Sequence, residues 1–108
     1  MLHNLFALPA ALPEHELFEP LATGNGIVIE RIISVGHVTP EGEWYDQERD
    51  EWVVLLQGRA SIEYEHGGQI DLLPGDWVTI PAHEKHRVAS TSSEPPCIWL
   101  AVHAQLAT

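Results

Sequence analysis

The chain is predicted to be all-β, an antiparallel closed barrel or jelly roll. One observation is the run of short β-branched or alternating stretches, such as Ile27–Val35 (IVIERIISV) and Ala60–Glu65, where Ala60, Ile62 and Tyr64 alternate with Ser61, Glu63 and Glu65. Another is the punctuation between such stretches: Gly58, the Gly67-Gly68 hairpin signal and Pro74-Gly75-Asp76. The third is their density. Several short strands separated by tight turns between Glu51 and Ser90 suit a closed antiparallel unit.

Residues 1–26 read as an N-terminal arm and residues 27–108 as the barrel domain. The arm is Pro-punctuated, with Leu5, Phe6, Leu8, Leu12, Leu17 and Phe18 spread along it. Pro13 permits a helical turn that Pro20 limits. Apolar residues this dense are expected to pack on the barrel or on a second subunit. Gly24-Asn25-Gly26 is a turn leading into the Ile27–Val35 strand. Gly36 to Gly42 is a loop, and Glu43 to Asp50 is an acidic patch containing Trp44 and Tyr45. Further strands are expected at Trp52–Gln57, Ala60–Glu65, Gln69–Leu73, Trp77–Ile80, Arg87–Ser90 and Cys97–His103, the last with Ile98, Leu100 and Val102 on one face.

A chain of 108 residues with 44% apolar content forms one globular domain with a modest core. Its formal charge of −11 repels phosphate backbones and anionic lipid, so neither nucleic acid nor membrane is an expected partner. A lone Cys97 excludes an internal disulfide framework and an all-Cys metal site, and its apolar surroundings indicate a buried, inert thiol. No apolar stretch approaches the roughly 20 residues that span a bilayer. The opening stretch has no early Lys or Arg, and Pro9, Pro13, Glu14 and Glu16 interrupt it, so a cytoplasmic protein is expected.

Period-two geometry supplies the candidate site. If Glu51 points inward, so do Val53 and Leu55, which leaves one carboxylate at the end of an apolar inner face. His86 shares a face with Val88, while Arg87 points the other way. A Glu and a His brought together from two strands suit a divalent transition metal. The alternative is that Glu51 merely opens an acidic loop and His86 bonds to backbone. His66, in a turn, is expected to be exposed, and His103 is placed to reach a pocket mouth. His3, His15 and His37 carry weaker cases. Trp44, Trp52, Trp77 and Trp99 read as core or interface residues, with ligand stacking as the alternative.

Gly75, Pro81 and His86, at their spacing, resemble the second cupin motif, G-x5-P-x-G-x2-H-x3-N. His83 stands where that motif has Gly, and Ser90 where it has Asn. Glu51 and Gly58 match the end of the first motif, G-x5-H-x-H-x3,4-E-x6-G. The two histidine positions hold Tyr45 and Gln47 with the shorter spacing, and Trp44 and Asp46 with the longer; the leading Gly is absent. WYDQ, DEW and PAHEKHRV together look like small single-domain bacterial cupins. The resemblance covers about residues 27–103 and implies a double-stranded β-helix, or jelly-roll barrel, with a metal or small-ligand pocket inside, and often a homodimer.

What the resemblance implies for the site is a metal shell of His86, Glu51 and Gln47, with His83 as a replacement for a lost imidazole. Strand parity favours Gln47 over Asp46 beside Glu51; a bulge would bring in Asp46 instead. The ion would be Fe, Mn, Ni or Zn, held less firmly through an amide than through imidazole. Tyr45 and His83 are the proton-transfer candidates. Two functions follow: a metal-dependent dioxygenase, isomerase or lyase acting on a small organic molecule, or a non-catalytic module that binds or senses a small ligand. No nucleophile triad, phosphate loop or redox cysteine pair is present.

Overall fold

The computed structural model describes residues 1–107. Eight strands follow in order: β1 (Leu17–Gly24), β2 (Ile27–Ser34), β3 (Asp50–Gln57), β4 (Ala60–Tyr64), β5 (Gln69–Leu72), β6 (Trp77–Ile80), β7 (His86–Thr91) and β8 (Cys97–Ala104). They form a five-stranded sheet in the order β1-β2-β8-β3-β6 and a three-stranded sheet in the order β5-β4-β7, with every pairing antiparallel. Seven strands coincide with the expected stretches to within one or two residues. No helix forms among the described residues, so none is long and apolar enough to cross a membrane.

The helical turn allowed after Pro13 is absent; residues 13–16 approach β1 as irregular chain. The end of the N-terminal segment is itself a strand. Leu17–Gly24 pairs with Ile27–Ile33 across the Asn25-Gly26 turn, slipping register between Pro20 and Ala22. Pro20 lacks an N–H and is tolerated because β1 is a sheet edge. The preceding residues are tied to the barrel's outer face: the Arg31 guanidinium donates to the Leu5 carbonyl at 2.9 Å and the Ala7 carbonyl at 2.7 Å, and pairs with Glu19 at 2.6 Å.

Alternation decides which side chains meet between the sheets. Cross-strand register sets Ile32 and Leu55 beside Trp99, and Val53 beside Ala101. These, with Ile62, Leu72 and Ile80, form the buried core. Leu55 is fully buried; each such aliphatic side chain contributes about 1.5–3 kcal/mol relative to exposure. Cys97 belongs to the same core and is a free, buried thiol. On the outer face Trp52 and Trp77 pack with ring centroids 5.8 Å apart.

Two turns need glycine for stated reasons. At Gly67-Gly68 both φ angles are positive (102° and 96°), the left-handed geometry a tight hairpin demands. Gly58 has φ 91°, and a Cβ there would lie 2.8 Å from both Cys97 Sγ and Ser92 Oγ. The second motif's Gly75 ends its turn with the Asp76 carboxylate accepting the Leu73 N–H at 2.8 Å.

Candidate functional site

Between the sheets, at one end of the core, lies a cavity of about 50 Å³. Its apolar wall includes Val53, Ile62, Ile80, Val88 and Trp99. Polar groups enter from five elements: Glu30 from β2, Glu51 from β3, His86 from β7, His103 from β8, and Tyr45 with Gln47 from the loop before β3. Glu16, just before β1, completes the set.

Strand pairing explains the convergence. Glu51 and His103 are register partners across β3 and β8, on the same inner face as Val53 and Ala101. Tyr45 forms an isolated bridge to His86, with Tyr45 N–H donating to the His86 carbonyl at 2.7 Å and His86 N–H to the Tyr45 carbonyl at 3.2 Å. That bridge extends the loop, so residues 45 and 47 face inward and residue 46 faces out. The inward residue is therefore Gln47. Asp46 lies outside the cavity, with its carboxylate 2.7 Å from His83 Nδ1.

His86 is buried, with its ring held from both sides. Nδ1 lies 2.8 Å from the Glu84 carbonyl, so Nδ1 carries the proton and donates. Nε2 faces Glu51 Oε1 at 3.7 Å, an ion-pair distance too long for a hydrogen bond. Burial pushes the imidazole pKa down, but the Glu51 carboxylate and the Glu84 carbonyl outweigh it and the net shift is upward. Glu51 is likewise buried.

A second imidazole–carboxylate pair stands beside the first. His103 Nε2 lies 2.8 Å from Glu30 Oε1, and this bond raises the His103 pKa against the opposing effect of burial. Glu16 accepts the Ser34 hydroxyl at 2.5 Å, and that hydroxyl receives the Trp99 indole N–H at 3.1 Å. Burial raises the Glu16 pKa. Burial, reinforced by the Glu16 charge, raises that of Tyr45.

Of the residues anticipated from sequence, Glu51, Gln47, His86 and Tyr45 line one cavity, and His83 does not. His83 is exposed, adopts φ 63°, and turns to Asp46. Its motif counterpart is Gly, and the left-handed backbone explains why: this turn bends the chain ahead of β7 and directs the side chain outward. Glu16 and Glu30 were not foreseen. Glu30 had a signal, a carboxylate on the same strand face as Ile32. Glu16 had none, because no periodicity orients the irregular segment before β1. His66, in the β4–β5 turn, is exposed as expected and pairs with Glu84.

The donor set limits metal binding. Among the described residues no three of His, Cys, Asp and Glu come together as an ion's shell. One imidazole, one carboxylate and the Gln47 amide converge, while His103 is engaged by Glu30 and His83 lies outside. Such a set does not fit a firmly held ion.

Comparison with known proteins agrees with this architecture. A family model described as a cupin domain matches residues 32–103. A crystal structure from Ralstonia eutropha JMP134, named a "putative mannose-6-phosphate isomerase", shares 46% identity and superposes with a TM-score of 0.90 over 98% of this chain and 99% of that one. A cupin superfamily protein from Desulfitobacterium hafniense DCB-2 is 22% identical, with a TM-score of 0.73 over 91% of this chain and 84% of its own. A protein from Thermus thermophilus, TT1209, is 21% identical, with a TM-score of 0.78 over 96% of each chain. These last two show likeness of fold alone. No curated protein matches.

Proposed function

From the premise that this chain belongs to the cupin domain family, we propose that it takes a small organic molecule into the barrel and exchanges protons with it, as an isomerase- or lyase-type cupin. One observation carries the reading: two imidazole–carboxylate pairs, His86 with Glu51 and His103 with Glu30, face a single cavity. A base that removes a proton and an acid that returns one are what an isomerisation requires, and positioned groups of this kind contribute about 10²–10⁴-fold. His86 is oriented for this work, because the Glu84 carbonyl fixes Nδ1–H and leaves Nε2 to gain or lose the proton. Val53, Ile62, Ile80 and Val88 exclude water around the pair and strengthen its electrostatics. Tyr45 adds a hydroxyl able to steady a developing charge.

The name of the Ralstonia protein supports the reaction class, since interconverting an aldose and a ketose moves a proton between neighbouring carbons. It does not extend to a phosphorylated substrate here, because no Lys or Arg lines the cavity. A loosely held metal on His86, Glu51 and Gln47 is the second reading, favoured by the approach of Nε2 and Oε1 to 3.7 Å. The functional unit is proposed to be a homodimer, on the strength of Phe18, Leu21 and Trp77, exposed on the sheet's two edge strands.

Solvent-deuterium incorporation into a panel of small neutral and amino-substituted carbonyl compounds, followed by NMR with chelator-treated protein, tests the proposal. Exchange that falls at least 100-fold in Glu51→Gln and His86→Gln is the expected result. Absence of exchange throughout would replace it with a non-catalytic binding module. Exchange restored only by added Mn, Fe(II), Ni or Zn would replace it with the metal reading.

A further inference from the structure

None of the five Lys and Arg residues lines the cavity, and Arg49 comes nearest, in a cleft shared with Glu30, Gln47 and His103. Arg31 grips Glu19 and the N-terminal segment on the outer face. Arg49 lines a neighbouring cleft, and Arg59 is exposed in the turn after β3. Lys85 sits beside Glu65, and Arg87 is clamped by Glu63 and the Thr39 carbonyl. The cavity wall carries three carboxylates, Glu16, Glu30 and Glu51, against two imidazoles. With the carboxylates ionised it stays net negative even when both imidazoles are protonated.

Two of these carboxylates are satisfied, Glu30 by His103 and Glu16 by the Ser34 hydroxyl. Glu51 is not. Its side chain is 9% exposed, it lines the cavity, and it makes no hydrogen bond among the described residues; the nearest basic atom is His86 Nε2 at 3.7 Å. A mostly buried carboxylate that opens only onto the cavity favours a ligand group that donates to it.

We infer that the ligand of this cavity carries a small cationic N–H donor head, an amidinium or primary ammonium group, seated between Glu51 and His86. The inference rests on the small-molecule reading above and names the class of molecule. The Glu84 carbonyl takes the Nδ1–H of His86, so the neutral ring presents Nε2 as an acceptor facing a second acceptor, Glu51 Oε1. A head with several N–H groups satisfies both at once, whereas a carboxylate or phosphate meets acceptors and like charge. A cavity of about 50 Å³ admits a head of about four heavy atoms. The rest of the molecule would occupy the adjoining cleft, which shares Glu16, Phe18 and Tyr45 with the cavity.

Acetamidinium, acetamide and acetate are isosteric probes of charge +1, 0 and −1. Each is titrated into chelator-treated, ¹⁵N-labelled full chain at about pH 8, reading the Trp99 indole and Tyr45 amide signals. Acetamidinium is expected to shift both, with at least tenfold tighter binding than acetamide and none detected for acetate. Glu51→Gln is expected to abolish that preference while retaining a dispersed, folded spectrum. Glu16→Gln, which alters the mouth, reduces it without abolishing it. Acetamide or acetate binding as tightly as acetamidinium overturns the charge inference and leaves small-molecule binding standing. No shift with any probe, or shifts only with added zinc or manganese, overturns both.

Discussion

His86 Nε2 and Glu51 Oε1 face each other at 3.7 Å inside the barrel, one from β7 and one from β3, and both side chains are at least nine-tenths buried. In its protonated form the imidazole is the nearest cation to the Glu51 carboxylate. His86→Ala leaves that carboxylate buried beside a void, and is expected to destabilise by about 2–4 kcal/mol. Glu51→Gln removes the charge while keeping the shape, so it costs less, on the order of 1 kcal/mol. Urea denaturation at pH 7 measures both. Equal costs would show that His86 acts through packing alone.

The neighbouring pair governs a pH dependence. Glu30 raises the His103 pKa, so the folded state holds this proton more firmly than the unfolded chain, where imidazole titrates near about 6.5. Its stabilisation is fully present below about pH 6.5 and is lost as pH rises through the folded-state value. His86 is shifted upward as well and acts in the same sense. Glu30→Gln should therefore be less stable than wild type at pH 6 and approach it at pH 9. A stability gap that widens with pH would contradict this assignment.

Gly58 combines a positive φ with a crowded neighbourhood. Its Cβ would also meet Cys97 Cα at 3.0 Å, backbone that cannot swing aside. Gly58→Ala is expected to cost about 2–4 kcal/mol, from left-handed strain together with displacement of the start of β8. Gly42, also at positive φ, has open space around its Cβ position, and Gly42→Ala should cost about 1 kcal/mol. Thermal melts of the two variants separate steric crowding from strain.

Assembly is tested by sedimentation at micromolar concentration, where a homodimer is expected. Trp77 is exposed on the edge strand β6 beside Trp52. Trp77→Lys should weaken association at least tenfold while the melting temperature of the dissociated chain changes little. A clean monomer in the wild type would remove the proposed interface.

Local pattern was enough to assign most of the strands, because alternation and turn residues act within a few positions of one another. The same parity turned Glu51 and Gln47 to one face and Asp46 to the other, and the motif spacing led to His86. What tertiary structure alone decided is which faces meet. Glu30 sits in a strand whose partner in the sheet, β8, comes from the far end of the chain, so its bond to His103 spans 73 positions that no local signal connects. Glu16 is steered inward by Ser34, itself held by Trp99, although the segment carrying Glu16 has no period to orient it. His83 was sent outward by a left-handed turn that spacing along a strand does not reveal. Alternation along a strand sets the face each residue takes there; the closure of the barrel chooses the residues it confronts.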